Sequence, residues 1–108
     1  MGYKIFELGE HVVFNFTRSG ATIVKLHCTI VGRDKMERDV YLLQIDDEQY
    51  PQCAEKWIQK VYIGAFLYIP EIDRGRCFAS HRDYLSRDNN YYDNLAANEM
   101  SIDVLSVL

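Results

Sequence analysis

His11-Val12-Val13-Phe14-Asn15-Phe16-Thr17 is followed by Arg18-Ser19-Gly20 and then by a run from Thr22 to Val31. Val12, Phe14 and Phe16 alternate on one face of the first run, which is rich in β-branched and aromatic residues. That pattern is the signature of a half-buried strand. In the second run Val24, Leu26, Cys28 and Ile30 share one face, with Ile23, Lys25, His27 and Thr29 on the other. Arg18-Ser19-Gly20 supplies the turn between them, because glycine takes positive φ at little steric cost. The two runs read as an antiparallel hairpin, and that hairpin sets the class of fold.

Working outward, Gly32 and the charged stretch Arg33 to Asp39 connect to Val40–Ile45, a third strand that is short and strongly apolar. Asp46-Asp47-Glu48 ends it. Pro51 suits the first position of a helix, where its missing N–H would be unpaired in any case. Gln52 to Lys60 continues that helix, with Ala54, Trp57, Ile58 and Val61 at helical spacing. Val61 to Ile69 fits either a helix or a strand, and its β-branched and aromatic content, with Gly64 inside it, favours strand. Asp73-Arg74-Gly75 reads as a turn into a short strand, Arg76 to Ala79. Ser80 with Asp83 resembles a capping box that starts a helical turn at His81. Arg87-Asp88-Asn89-Asn90 is a polar loop, Asn90 to Met100 a second helix, and Ser101 to Leu108 a last strand.

The chain has 108 residues, 48% hydrophobic and 13% aromatic, which excludes intrinsic disorder and is enough for one core. Its length also excludes Rossmann and (β/α)8 enzymes. One domain, 1–108, is expected. The longest apolar stretch, Val61 to Ile69, has nine residues, well short of the roughly 20 needed to cross a bilayer. Glu7 interrupts the N-terminal stretch, so no secretory leader is expected, and the sequon Asn15-Phe16-Thr17 is expected to go unused. Cys28, Cys53 and Cys77 form an odd set without a CxxC pair, as reduced cytoplasmic thiols do.

At this point a resemblance appears. Gly9-Glu10-x-Val12-x-Phe14, then Gly20, then Ile30-Val31-Gly32, then Tyr41-Leu42-Leu43-Gln44-Ile45-Asp46-Asp47 is similar to the opening of SH3-like barrels of the Tudor and KOW kind. In those a Gly-acidic step leads into the first strand, a hairpin follows, and the third strand ends in acidic residues. The resemblance covers residues 9–47. Residues 50–108 carry too much helical signal for a plain barrel. The expected fold is therefore β-rich α+β: a small SH3-like barrel or strongly bent antiparallel sheet with two short helices.

The net charge of −4 is unevenly distributed. Residues 34–55 sum to −5 and residues 83–108 to −4, against +2 for 1–33 and +3 for 56–82. Both acidic segments carry tyrosines, which suit interfaces because they bring large apolar area with few rotatable bonds. Tyr41, Asp46, Asp47, Glu48 and Tyr50 in one segment, with Asp88, Tyr91, Tyr92 and Asp93 in the other, are the candidate partner-binding residues. The expected partner is another protein with a basic surface, because carboxylates beside such a surface speed association. Small acidic chains of this kind resemble accessory and inhibitor proteins of bacteria and phages.

A second reading takes Arg74, Arg76, Arg82 and Arg87, interleaved with Phe78 and Tyr84, as a basic-aromatic strip for nucleic acid. The overall pI of about 5.3 weighs against it. A third places a small molecule or nucleotide between Trp57 and the barrel. Catalytic signals are weak. His81-Arg82-Asp83 repeats a kinase tripeptide without the remaining kinase motifs, and no P-loop, GxGxxG or HExxH occurs. Cys77-x3-His81 offers one pair of metal ligands. His27 and Cys28 do not complete it, because adjacent strand residues point to opposite faces. Cys28 is expected in the core and His27 in solvent. No catalytic residue, metal or cofactor is assigned.

Overall fold

The computed structural model describes residues 5–97. Its strands are β1 (His11–Arg18), β2 (Ala21–Asp34), β3 (Val40–Ile45), β4 (Phe66–Tyr68), β5 (Cys77–His81) and β6 (Leu85–Arg87). Helix α1 spans Gln52–Lys60, and a second helix, α2, occupies 89–97 of the described chain. The fold is a β-rich α+β arrangement, one antiparallel sheet of six strands with two short helices, as the alternation pattern predicts. The last strand expected over 101–108 lies outside the described residues. Among the described residues no helix is long and apolar enough to cross a membrane.

The hairpin forms where expected. Ser19 and Gly20 take φ of 53° and 79°, the two successive positive values of the tight turn that matches strand twist. Phe16 pairs with Val24 and Thr17 with Thr22, so Ile23 is an extra residue bulged out of β2. A second irregularity lies at Val31, between the pairs Ile30–Leu43 and Gly32–Leu42. It bends β2 and turns both Ile30 and Val31 into apolar surroundings.

β2 is the hub. β1 takes one of its edges as far as Thr29, β3 takes the other from Cys28 to Arg33, and β4 joins at Gly32 to Asp34. The main path runs β5-β3-β2-β1-β6. Five strands laid flat at about 4.8 Å spacing would hold the outer two roughly 19 Å apart. Yet β5 reaches β6 through a single 3-10 turn, Arg82–Tyr84, which covers only about 8 Å. The sheet must therefore curl until its two edges approach, which encloses the core.

That core holds Val12 and Phe14 from β1, Val24, Leu26, Cys28 and Ile30 from β2, and Leu85 from β6, the alternating sets the sequence marks. β3 is buried on both faces. Tyr41, Leu43 and Ile45 join the main core, while Leu42 packs with Val31, Phe66 and Cys77 in a second cluster. This explains why Val40–Ile45 reads as a continuous apolar run. Segment 61–72 covers the second cluster, and here the expected strand needs correction. Ile63–Ala65 form a 3-10 turn, and only Phe66–Tyr68 pair with β2. Beyond Thr29 the free edge of β2 is short, so a nine-residue strand has nowhere to pair.

Two cap assignments also change. Pro51 is the N-cap of α1 rather than its first helical residue. At the turn after β5 the capping residue is His81, whose Nδ1 accepts from the Asp83 N–H at 3.2 Å. Ser80 instead donates to the His81 carbonyl at 3.0 Å.

Burial raises the Cys28 thiol strongly, helped by the charges of Asp46 and Asp47. It pushes Cys77 up to about 11, with Asp73 adding to the effect. Cys53 alone is exposed. A thiol reagent at pH 8 should therefore modify one cysteine of the native chain quickly and all three after denaturation, since thiolate is the reacting form. Comparable native rates at Cys28 or Cys77 would contradict this packing.

Candidate functional site

The outer face of the β1–β2 hairpin carries the residues of β1 and β2 that point away from the core. Pairing places His11 opposite Thr29, with His27 two positions along the same face. Two segments close over this face. The first is Asp46-Asp47-Glu48 at the end of β3, held by the Asp46 N–H donating to the His27 carbonyl at 2.8 Å. The second is α2, held through Asp88.

Asp88 is the N-cap of α2. Its Oδ1 accepts from the Tyr91 N–H at 3.1 Å, and its Oδ2 lies 2.8 Å from His27 Nδ1. The Asp88 N–H donates to the His11 carbonyl at 3.0 Å. Asp88 is only 6% exposed. Burial acts to raise its carboxyl, but the bonds from His27 and Tyr91 and the charges of His27 and His11 outweigh that and hold it below the ordinary carboxylate range. A depressed carboxyl stabilises the fold above its unfolded value, about 3.9, and that contribution is lost as pH falls through the folded value. Asp88→Ala should thus cost about 1–3 kcal/mol at pH 7, from the cap and the charged bond together. The deficit should shrink as the pH is lowered below about 4. Denaturant unfolding at pH 7 and pH 3 measures both effects.

The Asp46 side chain completes the junction. Its Oδ2 accepts from the Thr29 hydroxyl at 2.7 Å and stands 3.5 Å from His11 Nδ1. The His11 ring stacks on Tyr91, with centroids 3.7 Å apart and planes at 19°. Between the two segments lies an open cavity of about 310 Å³, lined by His11, His27, Asp46, Asp88, Tyr91 and two asparagines of α2. His27, expected in solvent, keeps 44% of its side chain exposed while its Nδ1 is bonded to Asp88.

The nine candidate partner-binding residues separate into three groups. Asp46, Glu48, Tyr91 and Asp93 are exposed, and belong to the two segments that close over this face. Asp47, Tyr50 and Tyr92 are half-buried and have structural bonds. Asp47 Oδ2 accepts from the His27 N–H at 2.9 Å, Tyr92 Oη accepts from the His11 N–H at 2.9 Å, and Tyr50 packs on the core beneath the Arg76 guanidinium. Tyr41 and Asp88 are withdrawn from any outer surface. Tyr41 is 3% exposed, and its hydroxyl accepts from the buried Phe6 N–H at 3.0 Å.

The basic-aromatic strip does not assemble. Phe78 is a core residue. Arg76 donates to the carbonyls of Ile45 and Asp47, Arg82 pairs with Asp39 at 3.2 Å, and Arg87 lies over the Tyr92 ring and bonds Asn89. Arg74 reaches the Tyr68 hydroxyl at 3.3 Å. Tyr84 instead joins a second cavity, of about 190 Å³, between Trp57 and the sheet, which also contains Phe14, Phe16, Phe78 and His81. Cys77 donates its Sγ–H to the Asp73 carbonyl. Among the described residues no group of three or more His, Cys, Asp or Glu is placed to hold a metal ion.

His11 and His27 are the residues that sequence reasoning missed. The signal was present in the alternation, since Val12, Phe14 and Phe16 on the core face of β1 and Val24, Leu26, Cys28 and Ile30 on that of β2 leave both imidazoles for the opposite, polar face. The bulge at Ile23, which the turn alone does not give, then sets His11 opposite Thr29. Compared with known proteins, the chain matches no family model, no curated protein and no solved structure.

Proposed function

We propose that the chain is a non-enzymatic protein-binding module of the cytoplasm that engages a basic site on a larger protein through Asp46, Glu48, Tyr91 and Asp93. One observation carries this reading. The two acidic, tyrosine-bearing segments, far apart in sequence, meet at one end of the sheet through Asp46–His11–Tyr91 and His27–Asp88. Their charges therefore act on the same approaching surface, which raises the association rate and makes it salt-dependent. Tyr91, 38% exposed and braced by His11, adds a pre-ordered aromatic contact. Occupying such a site makes the protein an accessory factor or inhibitor of its partner. Nucleic acid ranks below this reading, because the arginines it needs are bonded to separate parts of the fold.

Glu48 and Asp93 are exposed side chains whose reversal leaves the hydrogen bonds of the junction in place. Affinity capture from the native host at low salt, with mass spectrometry, should recover a basic-surfaced protein on the native chain. The double variant Glu48→Lys/Asp93→Lys should recover at least tenfold less. Equal recovery by a folded double variant would overturn the proposal.

A further inference from the structure

On the opposite face of β1 from His11, the alternation of Phe14 and Phe16 runs past the core and out to its rim. Trp57, projected by α1, and Tyr84, from the 3-10 turn after β5, face these two rings, with Phe78 below. The rings brace one another. Phe14 meets Phe78 and Trp57 edge-on at centroid distances of 5.0 and 5.3 Å, while Phe16 lies 5.7 Å from Trp57 and 5.9 Å from Tyr84. They leave a cavity of about 190 Å³. An apolar cavity of about 150 Å³ holds benzene, so this one has room for a single ring.

Its rim is polar in a specific sense. His81 Nδ1 accepts from the Asp83 N–H at 3.2 Å and stands 3.3 Å from the Asp83 carboxylate; the accepted bond places the proton of the neutral imidazole on Nε2. The nearest carboxylate to Nε2, that of Asp39, stands 3.9 Å away, beyond hydrogen-bond reach. His81 therefore brings an uncommitted donor to the cavity. Ser80 Oγ, whose proton goes to the His81 carbonyl, keeps its lone pairs as acceptors. No carboxylate lines the space itself; those of Asp39 and Asp83 stand against His81, 3.9 and 3.3 Å from its ring nitrogens.

We infer that this cavity binds a small, planar heteroaromatic ring whose edge carries an acceptor beside a donor, as in a pyrimidine lactam or an aromatic carboxamide. The ring stacks among Phe14, Phe16, Trp57 and Tyr84, its acceptor meets His81 Nε2–H, and its donor meets Ser80 Oγ. The inference is independent of the acidic end, which lies on the other face of β1.

Trp57 is the only tryptophan, so its indole N–H gives a single reporter resonance. Uracil and nicotinamide are the probes, with cyclohexanol as a non-aromatic control. In heteronuclear NMR titrations at least one of the two probes should shift the Trp57 indole signal saturably. Cyclohexanol should bind at least tenfold more weakly. His81→Ala should weaken the bound probe about tenfold. Ala79→Phe, which fills the space from an exposed position, should abolish binding. Tyr84→Ala, which removes an exposed wall, should weaken it and serves where Ala79→Phe fails to fold. The inference is overturned by the absence of any saturable shift, by cyclohexanol binding as well as the heteroaromatics, or by unchanged affinity in folded His81→Ala, Ala79→Phe or Tyr84→Ala.

Discussion

Phe78→Ala is expected to destabilise the fold by about 3–5 kcal/mol. Phe78 is 1% exposed and is the largest fully buried side chain among the described residues. It lies on β5 opposite Leu43 of β3, so its ring enters the core from near one edge of the curled sheet. There it meets Phe14 of β1 edge-on and Trp57 of α1 at 5.8 Å, linking three elements. The space left by alanine cannot collapse, because those neighbours are fixed by pairing and by one another. The lost transfer free energy and the void therefore add. Urea unfolding reads the change directly, and a loss below about 1.5 kcal/mol would mean the core is looser than described.

Gly32→Ala is expected to cost about 2–3 kcal/mol, although it adds a single methyl group. Gly32 pairs with Leu42 on one edge of β2 and with Tyr68 on the other. A Cβ there would lie 2.7 Å from the Leu67 carbonyl oxygen, 2.9 Å from Tyr68 Cβ and 3.1 Å from Leu42 Cβ. Two of these contacts are with strand atoms that cannot retreat without breaking β4 from β2. Gly64 makes the comparison instructive. A Cβ at Gly64 would also come within 2.7 Å of a neighbour, but that neighbour is the Tyr62 ring, which is 76% exposed and swings away. Gly64→Ala should therefore cost less than about 1 kcal/mol. Equal losses at the two positions would contradict the three-way pairing of β2.

The contrast between these glycines also shows which features local sequence can carry. The hairpin was legible because alternation and the Ser19-Gly20 turn are properties of neighbouring residues. So were Val40–Ile45 and the helix after Pro51, together with the β-rich α+β class. Gly32 gave no sign of its role, since the crowding comes from Leu42 and Leu67, brought in by two different pairings. The same limit applied to Val61–Ile69, whose apolar residues face the second cluster while its backbone meets β2 only through the three pairs of Phe66–Tyr68 and the Ile69 N–H bond to the Val31 carbonyl.

At the site, the two acidic segments and their tyrosines could be named from charge alone. Sorting them required tertiary facts. Tyr41 alternates with Leu43 and Ile45, which already places it on the core face, but Asp88 is buried only because β6 delivers it beneath His27. The arginines of 74–87 were drawn together by proximity in sequence and dispersed by the curl of the sheet, each to a different partner.

The central claim is that residues 46–48 and 88–93 form one binding face. Its most direct test compares, against one captured partner, the association rates of Glu48→Lys and Asp93→Lys as separate variants. Both should slow association by a similar factor at low salt, with the differences fading as ionic strength rises and dissociation rates nearly unchanged. A loss confined to one variant, or no loss in either while both remain folded, would contradict a shared face.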